Sequence, residues 1–204
     1  FLTAVVFFFG LLIGYALEAN RLDSINQYYA QSEISLMDIL ALNSLVSTSN
    51  SSCQEFINSN LDFADRIYDE ALQLERYEDA RKLSDNILLA HKKYDLLRTF
   101  LWINAKKVKS ECVSNFSVVV YLYEQETEDL AQKATQNVWS KILFDLKEKS
   151  GEKIVLIPIA IDSNLTSLKS LVAEYDINKF PVVVINDKVI TELKSLEELD
   201  KYLM

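Results

Sequence analysis

Turn-forming and reactive residues are scarce in this chain. Its 204 residues include three glycines, two prolines, two cysteines and one histidine. With so little glycine there is no phosphate-cradling loop, and neither GxGxxG nor GxxxxGK[ST] occurs. The lone His91 excludes a His-based metal cluster, so neither metal nor cofactor is expected. Basic residues are also in short supply. Lys and Arg number 21 against 30 Asp and Glu, for a formal net charge of -9, and they cluster no further than the pairs Arg81-Lys82, Lys92-Lys93 and Lys106-Lys107. That balance argues against a nucleic-acid partner.

Charge is missing altogether from FLTAVVFFFGLLIGYAL, the first 17 residues. At helical rise they span roughly 26 Å, slightly short of a bilayer core of about 30 Å. The chain opens on Phe1 rather than Met, and further residues are expected upstream. The run reads as a transmembrane anchor over 1–19. A signal peptide is the alternative, although the run exceeds the usual apolar region and YALEAN offers no good cleavage site. Glu18, Asp23, Glu33 and Asp38 outnumber the basic residues that follow the run, which predicts a single-pass membrane protein with its C-terminal region outside the cytoplasm.

Beyond the anchor the period is helical. Ile25, Tyr29, Ser32, Leu36, Ile39, Asn43 and Val46 recur at alternating spacings of four and three, a seam with polar members, and VSTSNSSC (46–53) reads as a turn. A second helix is predicted over about 53–76, with Phe56, Phe63, Ile67, Ala71 and Leu74 on one face. A third covers about 78–110, with Leu83, Ile87, Ala90, Tyr94, Leu97, Leu101, Ala105 and Val108. Three antiparallel helices over 20–112 bury these stripes against one another. The hairpin brings Cys53, at the start of the second helix, to Cys112, at the end of the third. Together with the expected exported location, this favours a disulfide; two unrelated buried thiols and a working redox pair are the alternatives.

The C-terminal third changes period. SVVVYLY (117–123) and IVLIPIAID (154–162) read as buried strands, with a helix over 126–149 between them. A helix over about 165–175, the strand PVVVIND, a turn at Asn186-Asp187, the strand KVITEL and a last helix SLEELDKYLM follow. The order βαβαββα implies a mixed sheet covered on both faces.

From AIDSN onward, the helix ending LVAEYDI, NKFPVVVIND, KVI and the terminal helix resemble the second half of a thioredoxin-like domain. The resemblance covers about 116–204. It implies that Pro181 is the cis proline that opens a strand in that family, with Phe180 before it, and that these two residues form a peptide-binding edge. The family's CxxC would fall in YEQETEDL (123–130), where there is no cysteine. Disulfide exchange needs a thiolate there, so the chain is not expected to be an enzyme of that kind; main-chain pairing with an extended peptide is what the resemblance leaves. The family's extra N-terminal strand has no counterpart, so the sheet should have four strands with IVLIPIAID at an edge, where Pro158 is tolerated.

The fold class expected is therefore mixed α and β: a transmembrane helix (1–19), a helical bundle acting as stalk and spacer (20–112), and a minimal thioredoxin-like domain (113–204). The expected function is a membrane-anchored, redox-inactive module that presents Phe180 and Pro181 to a peptide or protein partner. The alternatives are a redox protein whose Cys53 and Cys112 approach the Pro181 loop, and a structural subunit of a membrane assembly. Three Asn-x-Ser/Thr sequons, at Asn50, Asn115 and Asn164, are little more than chance supplies. His91 is read as a packing or hydrogen-bonded residue, the acidic run Glu124, Glu126, Glu128 and Asp129 as an ordinary helix start, and Tyr121, Tyr123, Trp139 and Phe144 as core or half-buried residues.

Overall fold

The computed structural model describes residues 2–46, 53–78, 85–112 and 116–203. Its elements run α1 (Leu2–Val46), α2 (Cys53–Glu78), α3 (Asp85–Glu111), β1 (Ser117–Tyr123), α4 (Leu130–Ser150), β2 (Ile154–Ala160), α5 (Thr166–Glu174), β3 (Val182–Ile185), β4 (Lys188–Ile190) and α6 (Leu196–Asp200). The sequons at Asn50 and Asn115 lie outside the described residues; Asn164 is exposed and left-handed, two residues before α5 begins.

One expectation is overturned. Among the described residues, no helix is long and apolar enough to cross a membrane. The transmembrane anchor, the membrane partner and the single-pass localisation are corrected accordingly, and with them the placement outside the cytoplasm that rested on the anchor. The physical reason is length: the uncharged run ends at Glu18, and its 17 residues fall short of the roughly 20 a span requires. The expected boundary at 19 also falls inside one continuous helix, since α1 runs through to Val46.

The four-stranded mixed sheet is as expected, in the order β2-β1-β3-β4. β1 and β2 are parallel, from Ser117↔Ile154 to Tyr123↔Ala160. β3 runs antiparallel to β1, from Val119↔Ile185 to Leu122↔Val182, and β4 pairs antiparallel with β3. The edge position of β2 accommodates Pro158, which lacks a donor for a further neighbour.

Side chains alternate between the two faces with period two. Val118, Val120, Leu122, Val155, Ile157, Ile159, Val182 and Val184 join one core; Val119, Tyr121, Ile154, Leu156, Val183 and Ile185 join the other. Both faces are covered, which is why the strands read as continuous apolar runs. α4 and α6 close the second face through Trp139, Leu143, Leu146 and Leu199.

The first face is closed by α5 together with the helical hairpin. Phe56, Phe63, Leu97, Leu101 and Trp102 belong to the same core as Val120 and Ile157. α2 and α3 thus form a layer of the sheet's own core in place of a detached spacer, and α1 adds Leu36 to it. Cys53 and Cys112 form a disulfide with their Cα atoms 5.7 Å apart, tying the start of α2 to the end of α3.

Candidate functional site

The Phe180-Pro181 peptide bond is cis, and β3 begins at the next residue. The β1–β3 register ends at Leu122↔Val182; continued, it would set Glu124 opposite Phe180. Both main-chain groups of Glu124 are already engaged elsewhere. Gln136, buried on α4, accepts the Glu124 N–H at Oε1 (2.9 Å) and donates through Nε2 to the Glu124 C=O (3.0 Å). A side-chain amide has taken the place of a strand neighbour. Phe180 is left at the end of the ladder with its ring half-buried against the first core and Asn178 and Lys179 exposed beside it.

The facing loop, residues 124–129, is held by three carboxylates. Asp162, just past β2, accepts the Gln125 N–H (3.1 Å) and the Glu126 N–H (2.9 Å). Asp129 caps α4, accepting from Ala131 (2.8 Å) and Gln132 (3.3 Å), and Glu124 accepts from the Gln132 amide (2.8 Å). The acidic run is thus partly spent on ordering its own loop. Tyr121 stacks on Tyr123 with ring centroids 5.3 Å apart and donates to the Gln136 C=O (3.1 Å). Burial raises the Tyr121 phenol. Trp139 lies in the core, and Phe144 is exposed.

Behind Asp162 lies a polar cluster that sequence reasoning missed. His91, Asp95 and Arg98 share one face of α3, at i, i+4 and i+7. Asp95, 1 % exposed, accepts the Ala160 N–H at 3.1 Å, and Arg98 Nη1 lies 3.5 Å from the same oxygen. Among the described residues, Asp95 Oδ2 and Arg98 Nε have no hydrogen-bond partner. Burial pushes the Asp95 carboxyl up to about 6, against the opposing pull of Arg98. Burial, reinforced by Arg98, brings His91 down to about 4. The signal in the sequence was Asp95 and Arg98 sitting one step after Tyr94 and Leu97 in an apolar stripe.

At the other end of β1, Asn186 in the β3–β4 turn accepts the Val118 N–H (3.1 Å) and the Lys109 ammonium (2.6 Å), and donates to Ser117 Oγ (3.0 Å). A cavity of about 20 Å³ beside it, lined by Trp102, Lys106, Lys109 and Asp187, has room for a water and not for an organic ligand. Lys106 pairs with Glu174 at 2.6 Å and lies 4.9 Å from the centre of the Tyr175 ring, which stacks on Trp102.

Cys112 precedes β1, whereas Phe180 lies beyond the far end of that strand. Lys109, one turn before Cys112, bonds Asn186 beside Val118 at the start of β1, and six steps of register from Val118 to the position facing Phe180 span about 20 Å. The disulfide therefore does not approach the Pro181 loop. Both cysteines are engaged in it, and the chain has no CxxC. Among the described residues, no group of three or more His, Cys, Asp or Glu is placed to hold a metal ion. No family model matches the chain, and no curated protein or solved structure does.

Proposed function

We propose that this chain is a binding protein whose recognition edge is the main chain at Phe180, and that its sheet region is thioredoxin-like without the thiol chemistry. The observation that carries the reading is the occupation of Glu124 by Gln136, which ends the β1–β3 ladder and leaves Phe180 unmatched. An unmatched strand end beside exposed residues is suited to adding a short extended segment, with main-chain hydrogen bonds supplying affinity. The strand order β2-β1-β3-β4, the parallel β1–β2 pair and the cis bond before β3 support the likeness to a thioredoxin-like sheet.

Main-chain recognition has a distinctive test. Linear peptides selected against the full chain from a random library should lose about tenfold or more in affinity when single backbone amides are N-methylated at alternate positions, because each methyl removes one ladder donor. Affinity that follows side-chain identity and tolerates N-methylation throughout would refute the reading.

A further inference from the structure

We propose that Asp95, Arg98 and Asp162, with His91 beside them, form a proton-operated latch through which the helical hairpin controls how firmly the 124–129 loop is held. The inference goes beyond the binding reading and does not depend on it.

The geometry links three parts of the chain in series. Asp95 on α3 holds the end of β2 through the Ala160 N–H. Two residues later Asp162 spends one oxygen on Gln125 and the other on Glu126. Among the described residues, the charged groups that act on Asp95 are Arg98, from its own helix, and Asp162, from the segment after β2; His91 feels the same two.

Arg98 is 7 % exposed, so its charge needs a carboxylate close by. With Asp95 ionised, that carboxylate is Asp95. When a proton from solvent settles on the unpartnered Oδ2, the Ala160 N–H can stay on Oδ1, but the charge facing Arg98 is gone. Among the described residues, Asp162, which acts on both Asp95 and His91, is then the carboxylate left to the cluster. The guanidinium draws it away from the Gln125 and Glu126 amides, which lose their acceptors, and the loop loosens. His91 stays neutral through this step and offers Arg98 no anion, since burial keeps its imidazole deprotonated down to about pH 4. The latch is closed at neutral pH and open below about 6.

Amide hydrogen exchange at Gln125 and Glu126, corrected for intrinsic rate and measured on the full chain from pH 7.5 to 4.5, reads the latch directly. Protection should fall about tenfold with a midpoint near 6. Arg98→Gln, which removes the cation that recruits Asp162, should keep both amides protected at pH 5. Asp95→Asn, neutral at every pH, should leave them weakly protected throughout; if that variant does not fold, the wild-type titration and Arg98→Gln still decide. Protection that is flat from pH 7.5 to 4.5, or a transition that survives in Arg98→Gln, would overturn the proposal. Because no peptide is present, failure here leaves the binding reading untouched.

Discussion

Gln136 satisfies both main-chain groups of Glu124, at 2.9 and 3.0 Å, from a helix that packs across the sheet. The pair ends the β1–β3 ladder two residues before Phe180 and joins the start of the loop to α4. Replacing Gln136 with Met keeps much of the volume and removes both hydrogen bonds. Two main-chain groups would lose their partners, at a cost of about 2–3 kcal/mol. Chemical denaturation should show this loss, and exchange of the Glu124 amide should accelerate. An unchanged Glu124 amide would mean that water replaces Gln136 without penalty.

The buried cluster on α3 predicts a pH dependence with two opposing parts. Asp95 has a folded-state value of about 6, above its ordinary 3.8, so the folded chain binds more protons than the unfolded one between those values. Its contribution to stability is fully present below about pH 4 and is lost as pH rises through 6, by about 3 kcal/mol at 1.36 kcal/mol per unit. His91 works in the other direction. Held at about 4 against an ordinary 6.5, it lowers stability as pH falls through that range. The wild type should therefore be nearly flat between pH 6 and 4.5. Asp95→Asn should lose stability on acidification, and His91→Gln should gain it, as read from urea midpoints. Parallel slopes in the two variants would show that the groups do not oppose each other.

The disulfide closes a loop of about 60 residues around the hairpin. Removing it with Cys53→Ser and Cys112→Ser together should cost about 4 kcal/mol through the freed unfolded chain. Its position at the far end of β1 gives a second expectation: affinity for library peptides should change less than twofold in the double variant at a temperature where it stays folded. A large loss of affinity would place the bridge in the binding site after all.

Much of the architecture could be read from residue spacing. SVVVYLY and IVLIPIAI lack polar alternation because both sheet faces are covered, and the helical stripes Phe56–Phe63–Ile67 and Tyr94–Leu97–Leu101 are the ones that pack. The Cys53–Cys112 bridge was expected from hairpin geometry and an exported location, and the edge position of β2 from the strand order that the thioredoxin-like resemblance implies. What the stripes could not say was what they pack against. An amphipathic face records burial and not its partner, so a layer of the sheet's core read as a spacer. The anchor was misjudged on a margin of a few residues, where an uncharged run of 17 sits close to the length a span needs. Gln136, Asp95 and Asp162 were invisible for a different reason. Polar residues on helices and at strand ends usually face water, and only the folded chain shows that all three bond to main-chain groups well separated in sequence. Phe180 was located through the proline beside it; the reason its main chain is unmatched lies 44 residues earlier, in Gln136.

The most direct test of the binding reading is exchange of the Phe180 amide in the full chain, with and without a saturating linear peptide selected from a random library. If the peptide adds to the end of the β1–β3 ladder, the Phe180 amide should exchange about tenfold more slowly or better when it is bound, while the amides of the edge strand Lys188–Ile190 keep their rates. A bound peptide that leaves Phe180 unaffected and protects Lys188–Ile190 would contradict the account and place recognition at the open edge of the sheet.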